Sequence, residues 1–329
     1  MNRYLTLDDV EVDGLSVLVR SDLNVPLEGG EVGDDFRIRA ALPTLERLVS
    51  DGADVTVCSH LGRPKGVDPE LSLQPVAARM DELSEYEVGF ESGGDTGWPA
   101  TDWMEDIMLR TAGTDTYDQW VSHEIPFNDP AVLTAAETFG EIMFGEGYVL
   151  GGADQTPSIA FGDAPGPMFE EEPGCFLHRQ ASFINAFFPS DAEAGVDYDW
   201  FPFPPIDEEG ILFAGEFAVA FRDAPEVRDF LEQFAGQEVQ CAMGGDAASS
   251  RLSPRTDVGP DCYANEILAD SSEVVTTALE EDTGRFDASD QMPPQVGTGS
   301  FWTGMMTYMQ GGPDSASDVL DEIESTWPE

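Results

Sequence analysis

Two short apolar runs, each ending in polar and cationic residues, set the pattern of the first quarter of the chain. Leu15-Ser-Val-Leu-Val-Arg20 and Asp54-Val-Thr-Val-Cys58 predict buried strands of a parallel sheet. Between them Asp34-Asp35 is placed to cap a helical segment with Ile38, Leu42, Leu45, Leu48 and Val49 on one face. Pro43 predicts a kink in that segment or a fresh start. A further helix turns Val76, Ala77, Met80 and Leu83 inward. From about Val88 the pattern changes. Helices are predicted after Thr101 or Asp102 as cap, with Trp103, Ile107 and Met108 inward, and after Asn128-Asp-Pro130, with Val132, Ala136, Phe139 and Met143 inward. Two more follow: one after Asp223-Ala-Pro with Val227, Phe230, Leu231 and Phe234 inward, and one near 317–326 burying Val319, Leu320 and Ile323. Proline-rich apolar stretches such as Tyr198–Pro205 and Phe217–Phe221 lie between them.

The order β-α-β-α predicts right-handed crossovers and a Rossmann-like parallel sheet in the first part. The second part reads as α/β or α+β, so the expected fold class for the chain is α/β. In open α/β sheets ligands bind at the C-terminal strand edge. Here both strand ends deliver polar groups to that edge: Arg20, Asp22 and Asn24 from one, His60, Arg63 and Lys65 from the other, with Arg37 nearby. Arginine suits bidentate binding of phosphate and carboxylate oxygens, while Asp22 and Asn24 suit a hydroxyl. The plainer reading is that Arg20 and Asp22 only pair with each other.

Ser16-Val-Leu-Val-Arg-Ser-Asp-Leu-Asn-Val-Pro26, Asp34-Asp-Phe-Arg-Ile-Arg-Ala-Ala-Leu-Pro43 and Ser59-His-Leu-Gly-Arg-Pro-Lys-Gly66 resemble the N-terminal domain of phosphoglycerate kinase. The resemblance covers residues 1 to about 87, roughly half of that domain. It implies that Asp22, Asn24, Arg37, His60 and Arg63 bind 3-phosphoglycerate, and that Arg37, the catalytic candidate, also stabilises the transferring phosphoryl group. The family's nucleotide domain has no counterpart, and no Gly-rich loop with a following lysine replaces it, because Lys65 is the only lysine. Phosphoryl transfer depends on metal-assisted neutralisation of the nucleotide. MgATP or MgADP is therefore a cofactor only under the kinase reading, and turnover by this chain alone is not expected.

Charge sharpens the contrast. The chain holds 65 acids and 15 Lys and Arg, a formal net charge of −50. Such a surface repels nucleic acid and anionic membrane, so neither is an expected partner. Acid enrichment with almost no lysine points to a halophile-like surface adapted to high salt. The four cysteines, at 58, 175, 241 and 262, form no CxxC pair, which removes the common zinc spacings and gives no strong disulfide signal. No metal site and no resident cofactor is expected. No secretory h-region opens the chain and no run is long enough to cross a bilayer, so the chain as it stands reads as cytoplasmic and not membrane-inserted.

In the second part no catalytic constellation emerges, and His123 and His178 read as structural. Aromatic residues beside Asp, Glu and Asn instead point to a carbohydrate cleft, where rings cover the apolar face of a sugar and planar polar groups take its hydroxyls. Thr96-Gly-Trp-Pro-Ala-Thr-Asp-Trp103, His178-Arg-Gln-Ala-Ser-Phe183, Asp199-Trp-Phe-Pro-Phe-Pro-Pro-Ile206, Gly215-Glu-Phe-Ala-Val-Ala-Phe221 and Arg285-Phe-Asp-Ala-Ser-Asp-Gln-Met-Pro-Pro294 resemble extracellular sugar-binding proteins of ABC importers, the α-glucoside type above all. Gly299-Ser-Phe-Trp-Thr-Gly304 and Ile323-Glu-Ser-Thr-Trp-Pro328 fit the same pattern. This resemblance implies a type II periplasmic-binding-protein-like fold over residues 88–329, with most of its first lobe unmatched. It also implies a sugar ligand, an ABC permease as partner and an extracytoplasmic intact parent. The sugar-binding candidates within the matching motifs are Trp98, Asp102, Trp103, Arg179, Glu216 and Trp302. Without Cys58 the cysteines of this part are odd in number, the expectation being that one has lost its partner. Both resemblances stop or start mid-domain within a few residues of Glu87. The chain thus reads as a chimera, arising by gene rearrangement or sequence misassembly.

Overall fold

The computed structural model describes residues 7, 10, 12, 14–28, 31–50, 53–62, 71–83, 87–145, 147–170, 173–246 and 250–328. Its contacts divide the chain into two compact units, Met1–Glu85 and Tyr86–Glu329.

In the first unit β1 (Ser16–Arg20) pairs in parallel with β4 (Asp54–Cys58), Ser16 opposite Asp54 and Arg20 opposite Cys58. A small hairpin joins β2 (Leu27–Glu28) and β3 (Glu31–Val32). Helices α1 (Phe36–Arg39), α2 (Leu42–Ser50) and α3 (Gln74–Leu83) complete it, with Pro43 at the start of α2, where its missing N–H has no helical partner to lose. Ile38, Leu42, Leu45, Leu48 and Val76 form the buried face, as their spacing predicts. The side chains of Val49, Met80 and Leu83 lie outside the described residues, and Ala77 is exposed rather than inward. Nor is β1 the buried strand its composition predicts. It alternates between exposed and half-buried, and Leu18 is left largely open, because among the described residues β1 and β4 form a sheet of two strands. Asp35 makes no capping hydrogen bond; it is held between Arg39 and Arg79, at 2.7 Å from each. These guanidinium groups outweigh the cost of burial and hold its carboxyl below the usual carboxylate range. Asp34 takes the capping role instead, accepting from the Phe36 N–H at 3.0 Å.

The second unit is built on α4 (Trp98–Val121) and α5 (Pro130–Met143). The first half of α4 is buried almost all round, including Trp103, Met104, Ile107, Met108 and Leu109, which marks it as a central helix. Gly113 then interrupts it with φ 77° and ψ 171°, a conformation that only glycine reaches without strain. Trp120, fully buried, meets Tyr117, Phe127 and Phe301 edge-on at 5.2–5.6 Å. Asp129 caps α5 by accepting from the Ala131 N–H at 2.9 Å, as the Asn-Asp-Pro motif predicts.

Helices α6 (Pro225–Phe234), α7 (Gln237–Gly244) and α8 (Glu266–Glu280) follow. A parallel pair of β5 (Ile211–Phe213) and β6 (Gly284–Phe286) and the short α9 (Ala288–Gln291) come next to the core. A π-helical turn, Val296–Phe301, leads into α10 (Trp302–Gly311), and α11 (Ala316–Glu324) buries Val319, Leu320 and Ile323. The sequence-predicted inward face of α6 is a correction: none of its residues is buried and Phe230 is exposed. No helix among the described residues is long and apolar enough to cross a membrane.

Spacing alone gave no strong disulfide signal, yet the second unit holds a disulfide. Cys241 on α7 is bonded to Cys262, and Cys175 is a buried thiol in the same unit. The disulfide spans 21 residues and ties α7 to a segment with few buried apolar side chains, Val258, Tyr263 and Leu268. Replacing both cysteines with alanine is expected to lower stability by about 3 kcal/mol, mainly by freeing the unfolded chain. Urea denaturation of wild type and double variant, without reductant, checks this; equal midpoints would refute it.

Candidate functional site

In the first unit the loops after β1 and β4 are stitched together. The Leu23 N–H donates to Ser59 Oγ at 2.9 Å, and the Gly62 N–H donates to Asn24 Oδ1 at 2.7 Å. Asp22, Asn24, Arg37 and His60 thereby share one edge, as strand-end chemistry predicts. Asp22 pairs with Arg37 at 2.8 Å rather than with Arg20, and both side chains are about half exposed or more. His60 is exposed. Arg63 and Lys65 lie outside the described residues.

The site of the second unit forms where α4 begins. The cap is Gly97, four residues earlier than Thr101, at φ 117°. A Cβ there would collide with the backbone carbonyl of Trp302, so glycine is required both for φ and for the close approach. Thr101 instead donates to the Trp98 carbonyl at 3.0 Å from within the helix. Trp98 is half-buried against Phe161 and Phe183, with ring centroids at 5.1 and 5.8 Å, and Phe187 extends the cluster outward from Phe161. Trp302 is also half-buried, and its indole Nε1, shielded from solvent, has no hydrogen-bond partner.

One turn further along α4 the aromatic face gives way to buried charge. Arg179 donates to Asp106, through Nε at 2.8 Å and again through Nη2, and reaches Asp102 Oδ2 at 3.4 Å. Arg110 donates to the other oxygen of Asp106 at 2.7 Å and lies over Phe203. Glu105 accepts from the Ala288 and Ser289 N–H groups at 2.8 and 3.1 Å, tying α4 to α9, and Asp287 caps α9. Four buried carboxylates and two guanidinium groups are thus gathered here, with the guanidinium groups contacting Asp102 and Asp106 and the α9 backbone holding Glu105. Asp106 lies between both cations. Burial pushes Asp102 up to about 8 despite Arg179, with Asp287 and Asp106 adding to the rise, and pushes Glu105 well above the usual range. Burial thus favours the protonated form of both.

Of the sugar-binding candidates, Asp102, Trp103 and Arg179 are brought together, but inside the unit: Trp103 packs edge-on against Phe203 at 5.6 Å, with Arg179 beside it. Trp98 and Trp302 are the two that face partly outward. Glu216 lies on an exposed stretch, ion-paired with Arg251. His178 donates from Nδ1 to the Glu87 carbonyl at 2.8 Å, and burial pushes its imidazole down to about 4. His123 stacks on Trp327 and pairs with Glu324 at 3.1 Å. Sequence reasoning missed Glu105, Asp106, Arg110 and Asp287. The spacing 102, 106, 110 along one helical face was the available signal, since polar residues recurring every fourth position share a stripe. Among the described residues no group of His, Cys, Asp or Glu could hold a metal ion.

The join itself packs with the second unit. The Glu87 N–H donates to Leu177 O, Phe90 N–H to Thr156 O and Glu91 N–H to Ile159 O, at 2.9–3.0 Å. Val88 and Phe90 are core residues.

Comparison with known proteins finds relatives of two kinds. The chain is similar to two different families. The phosphoglycerate kinase family model matches residues 7–107. The osmoprotective compounds-binding protein GgtB of Synechocystis sp. is 44% identical over 247 residues, 73% of this chain and 56% of that protein. The alpha-glucosides-binding periplasmic protein AglE of Rhizobium meliloti is 42% identical over 275 residues, 80% of this chain and 58% of that protein. The chain therefore spans a little over half the length of these two relatives. A chitin oligosaccharide binding protein of known structure shares the fold, at a TM-score of 0.53 and 18% identity over 77% of this chain and 63% of its own. Residues from about 88 onward match the binding proteins and the N-terminal hundred match the kinase, so the chain is a chimera of the two sequence types.

Proposed function

We propose that residues 88–329 are the carbohydrate-binding part of an ABC-type importer's binding protein, of α-glucoside or oligosaccharide type. The kinship with two binding proteins over most of the chain carries this reading. The exposed edge of the Trp98 cluster supports it, since a ring suits the apolar face of a sugar. In this reading Trp98 and Trp302 touch sugar, Asp102 and Arg179 hold the α4 end in place, and a permease is the protein partner. The disulfide supports an oxidising, extracytoplasmic setting for this part. Titration with maltose and related α-glucosides should give a saturable change in tryptophan fluorescence, weakened about tenfold or more in Trp98→Ala. No response up to millimolar sugar would sink the reading.

Residues 1–87, in the same proposal, are a partial phosphoglycerate kinase N-terminal domain able at most to hold 3-phosphoglycerate through Asp22, Asn24, Arg37, His60 and Arg63. Kinase activity is the second reading, favoured by the family match at residues 7–107. A coupled assay with 3-phosphoglycerate and MgATP should show no turnover by the purified chain; turnover would establish the kinase instead. Amplification of source DNA across codons 80–95 would decide whether the fusion is natural.

A further inference from the structure

Residues 222–262 carry two helices and almost no core. Among the described residues of this segment Val258 is the one buried apolar side chain, and no residue of α6 is buried. None of them belongs to the large apolar cluster around α4. The segment's apolar anchor is instead the small cluster of Val258, Tyr263 and Leu268, against which Cys241, Leu252 and Cys262 are partly buried. Its four arginines sit in exposed ion pairs, such as Arg228 with Asp223, and pairs of that kind contribute little. Hydrogen bonds add to the fastening, among them the Ala264 N–H donating to the Gly244 carbonyl at 3.0 Å, which ties the end of α7 to the residues just before α8.

Segments with so few buried apolar contacts open at a fraction of the free energy of global unfolding. The Cys241–Cys262 bridge opposes that opening, because a link across 21 residues limits the freedom the open segment gains. Neither bridged cysteine is buried, whereas Cys175 is, and an accessible bridge is the kind that thiols attack. We propose that residues 222–262 are a redox-gated flap. With the bridge closed the segment is held against the start of α8; reduction by a dithiol lets α6 and α7 open locally while the α4 core stays folded. One thiolate of the dithiol attacks Sγ of Cys241 or Cys262, forming a mixed disulfide and releasing the other cysteine as a thiolate. The second thiolate of the dithiol then breaks the mixed disulfide and frees the remaining cysteine. The dithiol is oxidised to its own disulfide, and the cysteine pair gains two electrons and two protons. An oxidising compartment thus keeps the flap shut and a reducing one frees it. The inference does not depend on any sugar being bound.

The test is amide hydrogen exchange of the full 329-residue chain with and without dithiothreitol, with thiol titration reporting the state of the bridge. After reduction the amides of α6 and α7 should exchange about a hundredfold faster, the change expected when a loop of this size is no longer closed. Amides in the buried first half of α4 should stay protected over the same hours, and reoxidation should restore the slow rates. Cys241→Ser with Cys262→Ser should behave as the reduced chain does, without any dithiol. Unchanged exchange in α6 and α7 once the bridge is reduced overturns the proposal. Loss of α4 protection in step with theirs also overturns it, by making the segment part of one cooperative unit. So does a bridge that dithiothreitol leaves intact in the folded chain, because the gate would then be out of a thiolate's reach.

Discussion

Arg179→Met is expected to lower the stability of the Tyr86–Glu329 unit by about 3–5 kcal/mol, a large share of what a domain possesses. Arg179 is one of two cations in the buried cluster, and of the two it alone contacts both Asp102 and Asp106. Removing it leaves Arg110 as the partner of Asp106 but strips the buried Asp102 and one oxygen of Asp106 of the donors that satisfied them, which costs far more than the pair itself contributes. Urea unfolding followed by tryptophan fluorescence measures the loss. A loss below about 1 kcal/mol, the range of surface ion pairs, would show that the cluster is solvated and the geometry misread.

The second large effect is on pH. Asp102 is raised to about 8 and Glu105 well above its ordinary value, chiefly by burial. The folded unit keeps these protons while the unfolded chain releases them above about pH 4. Their contribution is therefore fully present below that pH and is lost as pH rises towards 8. His178 acts in the opposite sense. Lowered to about 4 by burial, it contributes fully above about pH 6.5 and loses that contribution as pH falls through 4. Asp102 alone spans a wider interval than the imidazole and outweighs it, and Glu105 acts in the same direction. The melting temperature should then be higher near pH 5 than near pH 8, by about 5–10 °C for a unit of this size. Calorimetry at constant ionic strength checks the sign, and Asp102→Asn should flatten the slope. A melting temperature that rises from pH 5 to pH 8 would refute the protonated cluster.

Both effects arise from a grouping of residues that local sequence reading does not reveal. Asp102 and Arg179 were legible as chemically interesting through their motifs, but as groups for a sugar, not as partners of each other. Asp106 and Arg110 looked like any acid and base on a helix, because a solvated face and a buried stripe have the same spacing. Only the packing of α5, α9 and α10 around α4 shows that this stripe is dry. The same limit explains α6 and β1. Their apolar faces were legible, but periodicity says which side chains share a face and not whether anything covers it.

By itself the sequence determined what local rules control. The two parallel strands, the Pro43 start, the Asp129 cap, the buried face of α11 and the change of sequence type near Glu87 all follow from neighbours a few residues apart. Tertiary structure decided the rest. It paired Cys241 with Cys262, moved the start of α4 back to Gly97 because Trp302 presses on that turn, and packed residues 87–91 with the second unit through hydrogen bonds to 156, 159 and 177. It also gathered four carboxylates and two arginines. Each of these depends on groups far apart in the chain meeting away from water, where hydrogen bonds and charges must be satisfied by one another, and no local pattern encodes which groups those are.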